Sequence, residues 1–228
     1  MSSGQTTWGY MGKVPTRGDF LTQAVHPDVR DLFFEWCQAS MAVSRDQLGE
    51  TWLDAYLTAP IWHFCAAPGA LAEQGVIGTM IPSVDRVGRH FPFITVAGYN
   101  GLALDAWRQP EWASEMEDCI LAVLDDDWNE ENWRNRLAAI ARPAPFSAKM
   151  RWPGQDGNVM LPGAATESEW LNALLERQSG LAVWWTQGSA FVEPATLLTD
   201  GLPRVGQFAA MMVGQWQAHG WQQAALEE

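Results

Sequence analysis

The sequence predicts an α/β protein, a three-layer α-β-α sandwich around a mixed, mainly central sheet. Short apolar runs bounded by Gly or Pro, IWHFCA (61–66), GVIGTMI (75–81), FPFITVA (91–97) and LAVWWT (181–186), have the character of strands covered on both faces. Segments with apolar residues at helical spacing precede and follow them. Consecutive strands without an intervening helix make mixed strand directions the expectation.

In chain order, GYMGKV reads as a first strand that stops at Pro15, with PTRGD as the loop after it. Pro27 suits the first turn of a helix, Asp28 and Asp31 favour its positive end, and Val29, Leu32, Phe33, Trp36 and Val43 form its apolar stripe. GETWLDAYL is a second helix with Trp52, Leu53, Tyr56 and Leu57 inward, ending before Pro60. After the three central strands, helices return at 110–124, with Met116, Ile120, Leu121 and Leu124 inward, and at 130–140 around Trp133, Leu137 and Ile140. DDDWNEE between them is an acidic turn. Residues 142–163 are rich in Pro and Gly and read as an irregular connection. A helix near SEWLNALLER, the strand LAVWWT, an edge strand near AFVEP and a last helix from Pro203 through Val205, Phe208, Met212 and Trp216 complete the chain. Trp184 and Trp185 should point to opposite faces of the sheet. The whole chain, 1–228, is read as a single α/β domain.

Composition narrows the function. Hydrophobic residues make up 47% and charged residues 18%, the balance of a packed globular protein. A net charge of −13 disfavours nucleic acid and anionic membrane surfaces as partners. No apolar run reaches the length of a membrane helix, and MSSGQTTWGYMGK lacks the features of a secretory signal, so a cytoplasmic location is expected without membrane insertion. Cys37, Cys65 and Cys119, odd in number and widely spaced, read as free core thiols. The fourteen tryptophans read as packing residues.

No constellation for metal or covalent chemistry stands out. His26, His63, His90 and His219 lack ligand spacing with Cys or Asp. His63 and Cys65 would share a strand face, which suits two satisfied core side chains better than two ligands. G-x-S-x-G, G-x-x-x-x-G-K-[ST] and G-x-G-x-x-G are all missing, and Ser83 has no evident base. No cofactor and no catalytic residue is assigned. SVDRVGR, between two strands, is more informative. Gly88 permits a sharp turn, Asp85 can take either Arg86 or Arg89, and Ser83 can cap the turn. The set either braces its own turn or presents a site for an anion or a protein.

GYMGKVPTRGDF resembles the opening of the TagF (ImpM) family, with its K-x-P-x-x-G-D-F turn. LGETWLDAYLTAPIWHFCAAPG and GTMIPSVDRVGRHFPF resemble the family's second and third blocks, and WWTQG its last, together spanning roughly residues 8–208 in order. The resemblance implies an α/β sandwich and a post-translational repressor of type VI secretion that engages a cytoplasmic forkhead-associated (FHA) scaffold. It carries no catalytic residues. Lys13 and Arg17 lie in the first of these blocks, so four of 14 basic residues fall in two family-like loops. Partner- or anion-binding candidates are therefore Lys13, Arg17, Asp19, Ser83, Asp85, Arg86 and Arg89. Beside the protein-binding reading stand a small-anion or phosphate sensor using the Arg86/Arg89 loop and an uncharacterised hydrolase.

Overall fold

A computed structural model describes residues 7–145, 181–222 and 224. Among these residues seven strands form one sheet: β1 (Gly9–Gly12), β2 (Leu21–Gln23), β3 (Trp62–Ala66), β4 (Val76–Ile81), β5 (Phe93–Gly98), β6 (Leu181–Thr186) and β7 (Ala195–Asp200), in the order β2-β1-β5-β4-β3-β6-β7. The four apolar runs are the centre of this sheet, with helices on both faces, as an α/β sandwich requires. Strand direction departs from expectation. All six pairings are antiparallel rather than mixed. The links within β3-β4-β5 contain no helix to carry a parallel crossover, so each strand runs back beside its predecessor.

Alternation along each strand divides the core in two. Phe64, Val76, Met80, Ile94 and Trp184 face one layer, where they meet Phe33 and Trp36 of α1 (Pro27–Leu48), Trp52 and Tyr56 of α2 (Trp52–Leu57), and Phe208, Met211 and Met212 near the C-terminus. Cys65, Ile77, Ile81, Phe93 and Trp185 face the other. There they meet Trp112, Met116 and Ile120 of α4 (Pro110–Leu121) and Trp133 and Leu137 of α5 (Glu130–Ala139), with the short α3 (Ala103–Trp107) alongside. Trp184 and Trp185 thus point to opposite cores, and Cys37, Cys65 and Cys119 are buried and unpaired. Several tryptophans also act as hydrogen-bond staples. Trp36 and Trp62 donate to the carbonyls of Pro203 and Met211, and Trp133 donates to that of Cys119, so burying these three rings strands none of their indole N–H groups.

Local differences have local causes. Leu32, Leu53, Leu57, Leu121 and Leu124 are exposed rather than inward, while Cys37, Ala55 and Cys119 take inner positions. Small residues there let the helices approach the sheet closely. The segment AFVEP is no strand: Ser189 N–H donates to the Val192 carbonyl, closing a turn that tucks Val192 into the core, and the edge strand starts at Ala195. The expected last helix is broken into a 3₁₀ turn at Val205–Gln207, α6 (Ala210–Val213) and a second 3₁₀ turn at Trp216–His219. Gly214 and Gln215 both adopt positive φ after α6, a conformation that ends a right-handed helix. Strand β2 and helix α3 were not anticipated. Residues 142–145 are described without helix or strand, while the rest of the expected 142–163 connection and the SEWLNALLER helix lie outside the described residues.

Candidate partner-binding site

Loop 13–20 follows β1, and loop 82–92 joins β4 to β5; β1 and β5 are neighbours, so both loops leave the same end of the sheet. Loop 82–92 closes on itself as a small hairpin. Asp85 N–H donates to the Arg89 carbonyl at 3.0 Å and Phe91 N–H to that of Ser83 at 3.0 Å, while Val84 and His90 form a bridge. Gly88 turns it at φ +83, a value that would strain an ordinary side chain.

Asp85 is the centre of the arrangement. Its carboxylate, fully buried, accepts from Val87 N–H at 3.1 Å, Arg89 N–H at 2.9 Å and Arg89 Nε at 2.6 Å, and pairs with Lys13 Nζ at 2.9 Å. Burial alone would push its pKa up. The Lys13 and Arg89 contacts and the two backbone donors outweigh it and hold the carboxyl well below the usual range.

The two loops therefore meet. Ser83 Oγ donates to the Lys13 carbonyl at 2.7 Å, Arg86 N–H to that of Arg17 at 2.9 Å, and Arg89 Nη2 to that of Gly18 at 2.6 Å. From beneath, the Tyr56 hydroxyl accepts the Ser83 N–H and donates to the Ser83 carbonyl.

One expectation is corrected here and one is narrowed. Ser83 does not cap its own turn; the Asp85 carboxylate does that, which frees the serine hydroxyl to cross to β1's loop. Of the two arginines open to Asp85, it takes Arg89 and not Arg86, and Lys13, which was not expected there, is its second cation. Arg86 is exposed and has no ion-pair partner among the described residues, its guanidinium lying 3.8 Å from where a Cβ on Gly18 would sit. Arg17 and Asp19 are also exposed, and Arg17 reaches Glu130 at 3.8 Å.

Ser83 Oγ has no histidine or carboxylate hydrogen-bond partner among the described residues. The other strand-borne pair resolves similarly. His63 Nδ1 lies 2.8 Å from Thr79 Oγ1 and Nε2 2.9 Å from Glu117 Oε1, and its ring contacts those of Trp112 and Trp185. Cys65 is buried on the same face, and that burial pushes its thiol up, away from the thiolate a metal would need. No group of three or more His, Cys, Asp or Glu side chains is arranged to hold a metal among the described residues. No described helix is long and apolar enough to cross a membrane.

A neighbouring cleft of about 540 Å³ escaped sequence reading. It is bounded by one face of α1 and both loops, with Phe20, Phe34 and Phe91 in mutual ring contact and Arg45, Arg89 and His90 around them. The spacing of Phe34, Gln38, Met41 and Arg45 on one helix face is the signal in the sequence that points to it.

Residues 9–140 match a family model that defines a type VI secretion-associated class, the TagF N-terminal domain. The crystal structure of PA0076 from Pseudomonas aeruginosa PAO1 is similar over almost the whole chain: 28% identity, TM-score 0.83, with 97% of this chain and 99% of that one covered. This chain belongs to the TagF family. No curated protein sequence matches it.

Proposed function

We propose that this chain is a cytoplasmic repressor of type VI secretion assembly. It acts as a single α/β unit that binds a protein, an FHA-domain scaffold, and not as a nucleic-acid binder, an inserted membrane protein or an enzyme. Family membership supports the secretion context. The observation that carries the binding mode is the union of loops 13–20 and 82–92 around Asp85, which holds a rigid surface on which Arg17, Asp19 and Arg86 stand exposed. Preformed surfaces of this kind lose little freedom on association. Lys13, Ser83 and Asp85 build the surface, and Arg89 both braces it and reaches solvent. The small-anion reading draws support from Arg86, which has no ion pair among the described residues, but Arg89 already serves Asp85 and Gly18, so among those residues the loop offers one uncommitted guanidinium.

The experiment is co-purification of tagged protein from cells carrying the secretion cluster, wild type against Arg17→Ala/Arg86→Ala. The scaffold should be recovered with the wild type and diminished with the double variant, secretion rising in parallel. Recovery of no scaffold by the wild type would remove the partner assignment.

A further inference from the structure

The cleft beside the braced loops has a composition that a simple packing groove does not need. Its floor is three mutually packed rings, Phe20, Phe34 and Phe91, with centroids 5.1 to 5.4 Å apart, of which Phe20 and Phe34 are only half-buried. Its rim is cationic. Arg45 has no carboxylate within ion-pair distance among the described residues; its guanidinium instead lies 4.1 Å from the centre of the Trp52 ring. That contact orients the group without neutralising its charge. Trp52 is in turn fixed by its indole donating to Ser44 Oγ and by stacking on Tyr56. Across the cleft Lys13 and Arg89 share the one buried carboxylate of Asp85, so one positive charge remains uncompensated there. Asp19, exposed, is the acidic residue lining the cleft. On a chain of net charge −13, Lys13, Arg45 and Arg89 set against Asp85 and Asp19 leave a net positive charge over an aromatic floor.

We infer, on the protein-binding reading proposed above, that this cleft receives an acidic segment of a partner protein, an apolar side chain seated on Phe20 and Phe34 and carboxylates meeting Arg45 and Arg89. The face of α1 from Phe34 to Arg45 is about 16 Å long at the helical rise, room for roughly five extended residues. A carboxylate suits the Arg45 guanidinium as a bidentate acceptor, while Arg89, whose Nε and Nη2 already donate to Asp85 and Gly18, has only its remaining N–H groups to offer a second. The overall negative charge repels an acidic partner at long range, so recognition depends on these local cations.

The test uses a fluorescein-labelled peptide with a central Leu-Phe pair flanked by three aspartates on either side, titrated with the full chain and read by anisotropy. Controls replace the aspartates by asparagine or the Leu-Phe pair by Gly-Ser. The acidic peptide should bind the wild type, and Arg45→Gln, Phe34→Ala and either control peptide should each weaken binding about tenfold. Arg45→Lys should recover only part of the loss, the share that charge carries without the bidentate fork or the guanidinium's seat on Trp52. Thermal melts of each variant identify any loss that comes from unfolding. No binding of the acidic peptide, or binding indifferent to Arg45 or to the aspartates, overturns the inference. Displacement by inorganic phosphate at the peptide's own concentration also overturns it, in favour of a small-anion site. Scaffold capture is scored separately with Arg45→Gln. Equal capture by wild type and variant removes the cleft and leaves the protein-binding reading standing, whereas charge-dependent peptide binding without scaffold capture keeps the cleft and removes the scaffold.

Discussion

The Tyr56 hydroxyl holds both backbone polar groups of Ser83, accepting from its N–H at 3.1 Å and donating to its carbonyl at 2.9 Å. This ties α2 to the start of loop 82–92 at a point where neither backbone group meets water. Tyr56→Phe keeps the ring stacked on Trp52 but strands a buried donor and weakens the acceptor's environment. The expected loss is about 1 to 3 kcal/mol of stability, read from urea unfolding. A variant as stable as the wild type would show that water replaces the hydroxyl.

Asp85→Asn should be more damaging. The amide keeps the shape but removes the charge that Lys13 and Arg89 share, with a cost of about 3 kcal/mol, the lower end of the range for a broken buried pair because Arg89 is largely in solvent. The pH dependence follows from the sign of the shift. The folded carboxyl titrates below its unfolded value, so the stability it contributes is full above about pH 4 and is lost as pH falls towards the folded value. The gap between wild type and Asp85→Asn in urea midpoint should therefore be widest near neutrality and narrow in acid.

Much of the sheet was legible because its central strands are buried on both faces and so leave continuous apolar runs in the sequence. Helix α1 was legible from Pro27 and its aromatic spacing. The edges were not. Strand β2 is three partly exposed residues with no apolar signal, and β7 buries only Leu197, while Phe191 and Val192 look more strand-like than the residues that pair. The candidate loops were legible as cations gathered around glycines, but their partners were not, since Lys13 and Asp85 lie in separate blocks and meet only through the adjacency of β1 and β5. The cleft was hidden for the same reason. Phe20, Phe34 and Phe91 come from three segments, and Arg45 reads in sequence as an ordinary solvated helix residue.

His90 supplies a second pH window. Partial burial against Trp52 and Tyr56 disfavours its charged form first, the nearby Arg45 and Lys13 add to this, and Asp85 opposes them, leaving its pKa below the ordinary histidine value. The unfolded chain then binds more protons than the folded one just below about pH 6.5, so stability should fall as pH drops through that window. His90→Gln should flatten the slope between pH 7 and the folded value without altering the acid limb that belongs to Asp85. An unchanged slope would mean that the ring is freely solvated.

Arg86 and Arg89, three residues apart, should behave as opposites. Arg86 is exposed with no ion pair among the described residues, so Arg86→Ala should leave the melting temperature unchanged, within about 0.5 kcal/mol in stability. Arg89→Ala removes the Nε contact to Asp85 and the Nη2 bond to the Gly18 carbonyl. Its 63% side-chain exposure discounts the ion pair, leaving a loss of about 1 kcal/mol. Scaffold capture separates their roles further. If the braced loops form the interface, Arg86→Ala lowers capture at unchanged stability, and restoring the charge with Arg86→Lys returns part of it, because a lone exposed cation needs no bidentate geometry to meet an acidic surface. An Arg86→Ala protein that melts and captures like the wild type removes Arg86 from the interface and leaves the contact to Arg17 and Asp19 or to Arg45 and Arg89 at the cleft.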